Sequence, residues 1–167
     1  MVIQISVIGY SGRLCTKRAY EAAYQVGAQI AKAGAVVVNG GLDGVMEAAA
    51  KGAHDAGGVS IGIIPSEEPT EGNKYSTFVI PSGMGFMRNF LVVNSGDAVI
   101  IVGGGAGTLT EAAAAYQQGK PIIAVKGTGG VADEWAGRSF DERRIGDVIG
   151  ASGPKEAVEK ALDLAGE

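Results

Sequence analysis

The chain has 167 residues, 46% hydrophobic and 19% charged, which suits one domain with a single core and excludes disorder. A formal net charge of −4 with no basic run argues against a nucleic-acid partner. A lone Cys15 allows no internal disulfide and no metal-ligand spacing, and neither a membrane span of ~18–20 apolar residues nor a signal peptide is present, so a cytoplasmic, metal-free protein with no membrane partner is expected.

The 28 glycines far exceed the roughly 7% usual share and follow no collagen-like period, so they mark loops and close packing. Val2 to Ile8 reads as a first strand, followed by the loop Gly9-Tyr10-Ser11-Gly12-Arg13. Thr16 is a cap for a helix whose face carries Ala19, Ala22, Ala23, Val26, Ile30 and Ala33. Ala35 to Val38 is a second buried strand, and Asn39-Gly40-Gly41-Leu42-Asp43-Gly44 a second glycine-rich turn into a helix over Val45 to Ala56. His54, the only histidine, lies in that helix with no Cys or His partner and reads as an ordinary helix residue. Val59 to Ile64 is a third strand, Ser66 to Tyr75 an exposed loop, and Ser76 to Ile80 a further short strand.

Met84 to Asn94 reads as a helix with Phe86, Met87, Phe90, Leu91 and Val93 as its apolar positions. Arg88 sits within it. A buried arginine needs a partner, and here it can pair with Glu111, with a ligand phosphate, or with both; the alternative is an arginine on the helix surface. Ala98 to Val102 is short, β-branched and without polar alternation, as in a strand buried on both faces of a parallel sheet. It runs into Gly103-Gly104-Gly105-Ala106-Gly107-Thr108 and a helix over Leu109 to Gln118. Lys120 to Val125 reads as the last clear strand, Lys126 to Gly153 is undecided, and Pro154 to Leu164 reads as a closing helix.

Strands and helices alternate throughout. A single Rossmann-like α/β domain over residues 1–167 follows, doubly wound, with a mostly parallel sheet and helices on both faces. Right-handed crossovers put the strand-to-helix loops on one edge, so Gly9–Arg13, Gly40–Gly44 and Gly103–Thr108 should meet in one crevice. Glycine amides beside a helix amino terminus suit a phosphate. The ligand-binding candidates are therefore Gly9, Ser11, Gly12, Gly40, Gly41, Gly44, Arg88, Asn89, Gly103, Gly104, Gly105, Gly107 and Thr108. Thr108-Leu109-Thr110-Glu111 is also a capping box, which leaves Glu111 open between cap and function. The glycine-rich Lys126 to Gly137 is expected to fold over a ligand as a lid.

The segments Gly40-Gly41-Leu42-Asp43-Gly44-Val45-Met46, Met87-Arg88-Asn89 and Gly103 to Glu111 resemble the LONELY GUY-type (LOG) Rossmann superfamily over roughly residues 3 to 125. Its hydrolytic members carry a GGGxxGLM turn, an Arg-Lys pair and a PGGxGTxxE motif. That resemblance implies a nucleoside 5′-monophosphate phosphoribohydrolase with Arg88 and Glu111 as catalytic residues. Gly103 stands where those hydrolases have proline, however, and Asn89 where they have lysine. The pattern Met-Gly-x-x-Arg-Asn, then Asp-Ala-Val and Gly-Gly-Gly-x-Gly-Thr-Leu, looks closer to the molybdenum-cofactor carrier proteins. This implies a carrier for a phosphate-bearing small molecule, with molybdenum cofactor as bound ligand and no cofactor required. A homo-oligomer, dimer or tetramer, is implied by the same resemblance. A dinucleotide-dependent oxidoreductase is disfavoured, since no turn reads G-x-G-x-x-G.

Overall fold

A computed structural model describes residues 1–166. The first half runs β1 (Gln4–Gly9), α1 (Lys17–Lys32), β2 (Val36–Asn39), α2 (Val45–Asp55), β3 (Val59–Ile64) and β4 (Phe78–Pro81). The second half runs α3 (Arg88–Ser95), β5 (Ala98–Val102), α4 (Ala106–Gln117), β6 (Ile122–Val125), α5 (Gly130–Trp135), β7 (Ile149–Ala151) and α6 (Pro154–Ala165).

The strands form one seven-stranded sheet in the order β4-β3-β2-β1-β5-β6-β7. Every pairing is parallel. The chain winds outward from β1 on one side, crosses back, and winds outward from β5 on the other. The β1–β5 boundary is thus the switch point, where a crevice opens beyond the carboxyl ends of the strands. All five residues of β5 are fully buried, which accounts for its unbroken apolar run.

Alternating strand residues feed two cores. Ile5 and Val7 point to the layer of α1, α2 and α6, while Ile8 points to the layer of α3, α4 and α5. Ser6 faces the second layer, and its hydroxyl donates to the Val92 carbonyl at 2.6 Å, pinning α3 against β1. Thr16 caps α1 by accepting the Ala19 amide at 3.1 Å. The two helices α1 and α2 meet glycine to backbone. A Cβ on Gly27 would run into the Ala49 carbonyl oxygen, and one on Gly52 into that of Tyr24. Among the described residues no helix is long and apolar enough to cross a membrane.

Three expectations need correction. A seventh strand, β7, lies inside the segment the sequence left undecided, so β6 is not the last. The helix after β5 begins at Ala106 rather than Leu109, with Gly105 as its cap residue and no side-chain cap bond. Thr108 therefore sits inside the first turn, and the Thr108–Glu111 capping box does not form. Lys126–Gly137 is not poised as a lid. It packs behind the Gly103–Gly105 turn, where the amides of Val131 and Ala132 donate to the carbonyls of Gly104 and Gly103, both at 3.0 Å.

Candidate functional site

The carboxyl end of β1, the turns that follow β2 and β5, and the start of α3 enclose a cavity of about 410 Å³, within the range usual for small-molecule sites. Gly9 and Ser11, Gly40, Arg88 and Asn89, and Gly105, Gly107, Thr108 and Glu111 line it together. Gly12, Gly41, Gly44, Gly103 and Gly104 lie off the lining, and the reason is chemical in most cases. The Gly12 amide donates to the Asp43 carboxylate at 2.8 Å, that of Gly41 to the Asn39 side-chain oxygen at 2.7 Å, and that of Gly103 to the Thr128 hydroxyl at 2.8 Å. These amides are occupied within the protein. Gly103 and Gly104, at φ of 61° and 111°, shape the turn that aims the next four residues at the cavity.

That next stretch is where donors remain. The first N–H groups of α4 have no intrahelical partner, and Gly105 supplies no capping side chain. Gly105 and Gly107 have open space where a Cβ would stand; at Gly107 the nearest atoms are Phe86 at 3.9 Å and Asn89 at 4.0 Å. The helix dipole adds a partial positive charge at this end. Thr108 donates its hydroxyl to the Gly9 carbonyl at 3.0 Å, locking α4 to the end of β1.

Arg88 is buried at 8% exposure, so the surface reading fails. It does not form a direct ion pair with Glu111. Its guanidinium donates instead to the Gly40 carbonyl at 3.1 Å and to the Asn89 side-chain oxygen, with the Met46 sulfur at 3.9 Å. Its Nε–H is buried without an acceptor among the described residues. Burial lowers the Arg88 pKa and the nearby Glu111 charge raises it. Glu111 is also 8% exposed. Burial pushes its carboxyl up to about 7, with the Arg88 charge pulling the other way and no hydrogen bond contributing.

Sequence reading placed the loops of Tyr10 and Leu42 in the crevice without singling out either side chain, and missed Met46 and Phe86 as cavity residues. Tyr10 wedges its ring under Gly103 and beside Gly130, which a position in the loop after β1 alone does not disclose. Phe86 lies in a 3-10 turn (Gly85–Met87) before α3 rather than on a buried helix face, and is 61% exposed at the rim. Among the described residues, no group of three or more His, Cys, Asp and Glu is placed to hold a metal ion.

A family model described as LDcluster4, the SLOG cluster4 family, matches residues 2–158. An uncharacterised protein of Archaeoglobus fulgidus is 45% identical over 125 residues, 75% of this chain and 81% of that one. The X-ray structure of TM1055 superposes at a TM-score of 0.90 with 36% identity, covering 97% and 99% of the two chains. The molybdenum cofactor binding protein of the phototrophic bacterium Rippkaea orientalis gives 0.86 and 34%, over 98% and 97%. The molybdenum cofactor carrier protein of Chlamydomonas reinhardtii gives 0.85 and 29%, over the whole of both chains.

Proposed function

The chain belongs to the SLOG cluster4 family, in the LOG-type superfamily beside the molybdenum-cofactor carriers, and from that premise we propose that it binds a phosphate-bearing small molecule, as a carrier or store. The observation that carries this reading is the row of unpartnered amides at the start of α4, opening into a cavity with the Arg88 cation. One helix terminus contributes only about 0.3–1 kcal/mol per exposed charge, up to ~2 kcal/mol when partly buried. Amides from several residues acting with a guanidinium offer more than either alone. Molybdenum cofactor, the ligand named for two relatives, is the proposed cargo; related nucleotides and pterins with a terminal phosphate share its chemistry.

Titration with AMP, GMP and their nucleosides tests this. Saturable binding that needs the phosphate and is displaced by inorganic phosphate is the expected result. Equal binding of nucleoside and nucleotide would sink the reading.

A second reading has its own support, because Glu111 is free of the capping role and lines the cavity. As a phosphoribohydrolase the protein would place C1′ of a nucleoside 5′-monophosphate near Glu111. The C1′–N bond breaks, the base leaves with the electron pair and a proton, and water supplies the hydroxyl to C1′, giving ribose 5-phosphate and free base. Glu111 would stabilise the positive charge on the sugar and orient the water. Release of adenine from AMP, abolished in Glu111→Ala, is the outcome that would favour it over the carrier.

A homo-oligomer is proposed alongside. Met84, Phe86, Met87, Phe90 and Leu109 are exposed apolar side chains around α3 and the start of α4.

A further inference from the structure

Resting on the binding reading above, we infer that the side chain meeting the anion is Asn89, through its Nδ2 amide, and that Arg88 is the positioning residue that aims it. The ligand class is a tetrahedral oxyanion, free or as a terminal monoester, held by neutral N–H donors with the cation set behind them.

The direction of the Asn89 amide follows from what Arg88 can do. A guanidinium has only donors, so the atom of Asn89 that faces it is the carbonyl oxygen, and Nδ2 is turned away from it. Asn89 is 7% exposed and lines the cavity. Its Nδ2 has no acceptor among the described residues, yet it is not sealed off as the Arg88 Nε is. It lies at the open side of Gly107, where a Cβ would stand 4.0 Å from Nδ2 and 3.9 Å from the Phe86 ring. Gly107 is the second residue of α4, so this space adjoins the free amides of the helix start. Backbone and side-chain donors thus converge on one place.

The guanidinium itself is engaged elsewhere. Nη1 donates to Asn89, Nη2 donates to the Gly40 carbonyl beside the Met46 sulfur, and Nε is enclosed. These bonds fix the Asn89 amide before a ligand arrives, which lowers the ordering cost of binding. They also give asparagine a reason at this position. It accepts from Arg88 and donates to an anion at once, whereas lysine has only donors and would set a second cation against Arg88.

Calorimetric titration with inorganic phosphate and with AMP is the test, at pH 8 throughout so that Glu111, the acidic residue of the cavity lining, keeps one charge state across the series. Asn89→Ala should bind both tenfold or more weakly than the parent. Asn89→Asp keeps an acceptor for Arg88 and the shape of the side chain but exchanges the donor for a carboxylate oxygen. It should keep the parent's unfolding transition and lose a hundredfold or more in affinity. Arg88→Lys keeps the charge and loses the fork, so it should weaken binding alone but cost nothing further in the Asn89→Ala background. In ¹⁵N spectra, the side-chain amide pair absent from Asn89→Ala should shift when phosphate is added, and should shift less in Arg88→Lys. Parent-like affinity in Asn89→Asp would overturn the assignment of Asn89 and leave the phosphate reading standing. Additive losses in the double variant would overturn the positioning role of Arg88. Absence of any phosphate-dependent binding by the parent overturns both readings.

Discussion

The hydroxyl of Thr108 donates to the carbonyl oxygen of Gly9 at 3.0 Å. The bond fastens the first turn of α4 to the end of β1 across the switch point of the sheet. With α4 starting at Ala106, Thr108 stands inside the first turn rather than at the cap, and Glu111 is released from the reciprocal bond a capping box would have imposed.

A carboxyl raised to about 7 by burial makes the native state bind a proton that the unfolded chain, at its ordinary value near 4.5, has already lost. Stability from this group is therefore highest below pH 4.5 and declines as pH rises to about 7, by about 3 kcal/mol at most. Glu111→Gln should leave stability near pH 4.5 little changed and raise it at pH 8. Urea unfolding across that range checks this. A Glu111→Gln protein no more stable than the parent at pH 8 would refute the buried-carboxyl assignment.

Gly105→Ala and Gly107→Ala separate folding from binding. Both positions have room for a methyl group, and alanine is favoured over an interior helical glycine by about 1 kcal/mol. The midpoint of thermal unfolding should hold or rise at Gly107. Affinity for phosphate-bearing ligands should drop tenfold or more, because the methyl stands where the anion approaches the amides. Undiminished binding in both variants would move the phosphate elsewhere.

Arg88→Lys probes the guanidinium as a fork. An ammonium cannot reproduce the planar fork that holds the Gly40 carbonyl and the Asn89 side chain at once. A loss of about 1–3 kcal/mol in stability is expected, with weaker ligand binding. A variant as stable as the parent would show that these bonds contribute little.

At the α1–α2 crossing, Gly27→Ala sets propensity against packing. Alanine gains about 1 kcal/mol in helix propensity, but its Cβ would collide with the Ala49 backbone, which cannot swing away. Overpacking of about 1–3 kcal/mol or more should win. Chemical denaturation showing no loss would mean the helices can slide apart cheaply.

The apolar patch is tested with Phe90→Lys combined with Leu109→Lys, both positions being exposed in the single chain. Light scattering should find an oligomer for the parent and a monomer for the variant, with the unfolding transition preserved. A monomeric parent removes the proposal of self-association.

Composition and periodicity determined the fold. Strands such as Ala98–Val102 are recognisable because burial on both faces demands uninterrupted β-branched residues, and glycine turns must follow them at one edge of a parallel sheet. The same local logic singled out Arg88, Gly105 and Gly107, which line the cavity. It could not decide which glycine amides stay free, because Asp43, Asn39 and Thr128 reach them from other parts of the chain. Nor could it decide whether Glu111 caps α4 or faces the cavity. Helix start and side-chain partner depend on where Gly9 and the α5 segment press against the turn, and only three-dimensional packing settles those contacts.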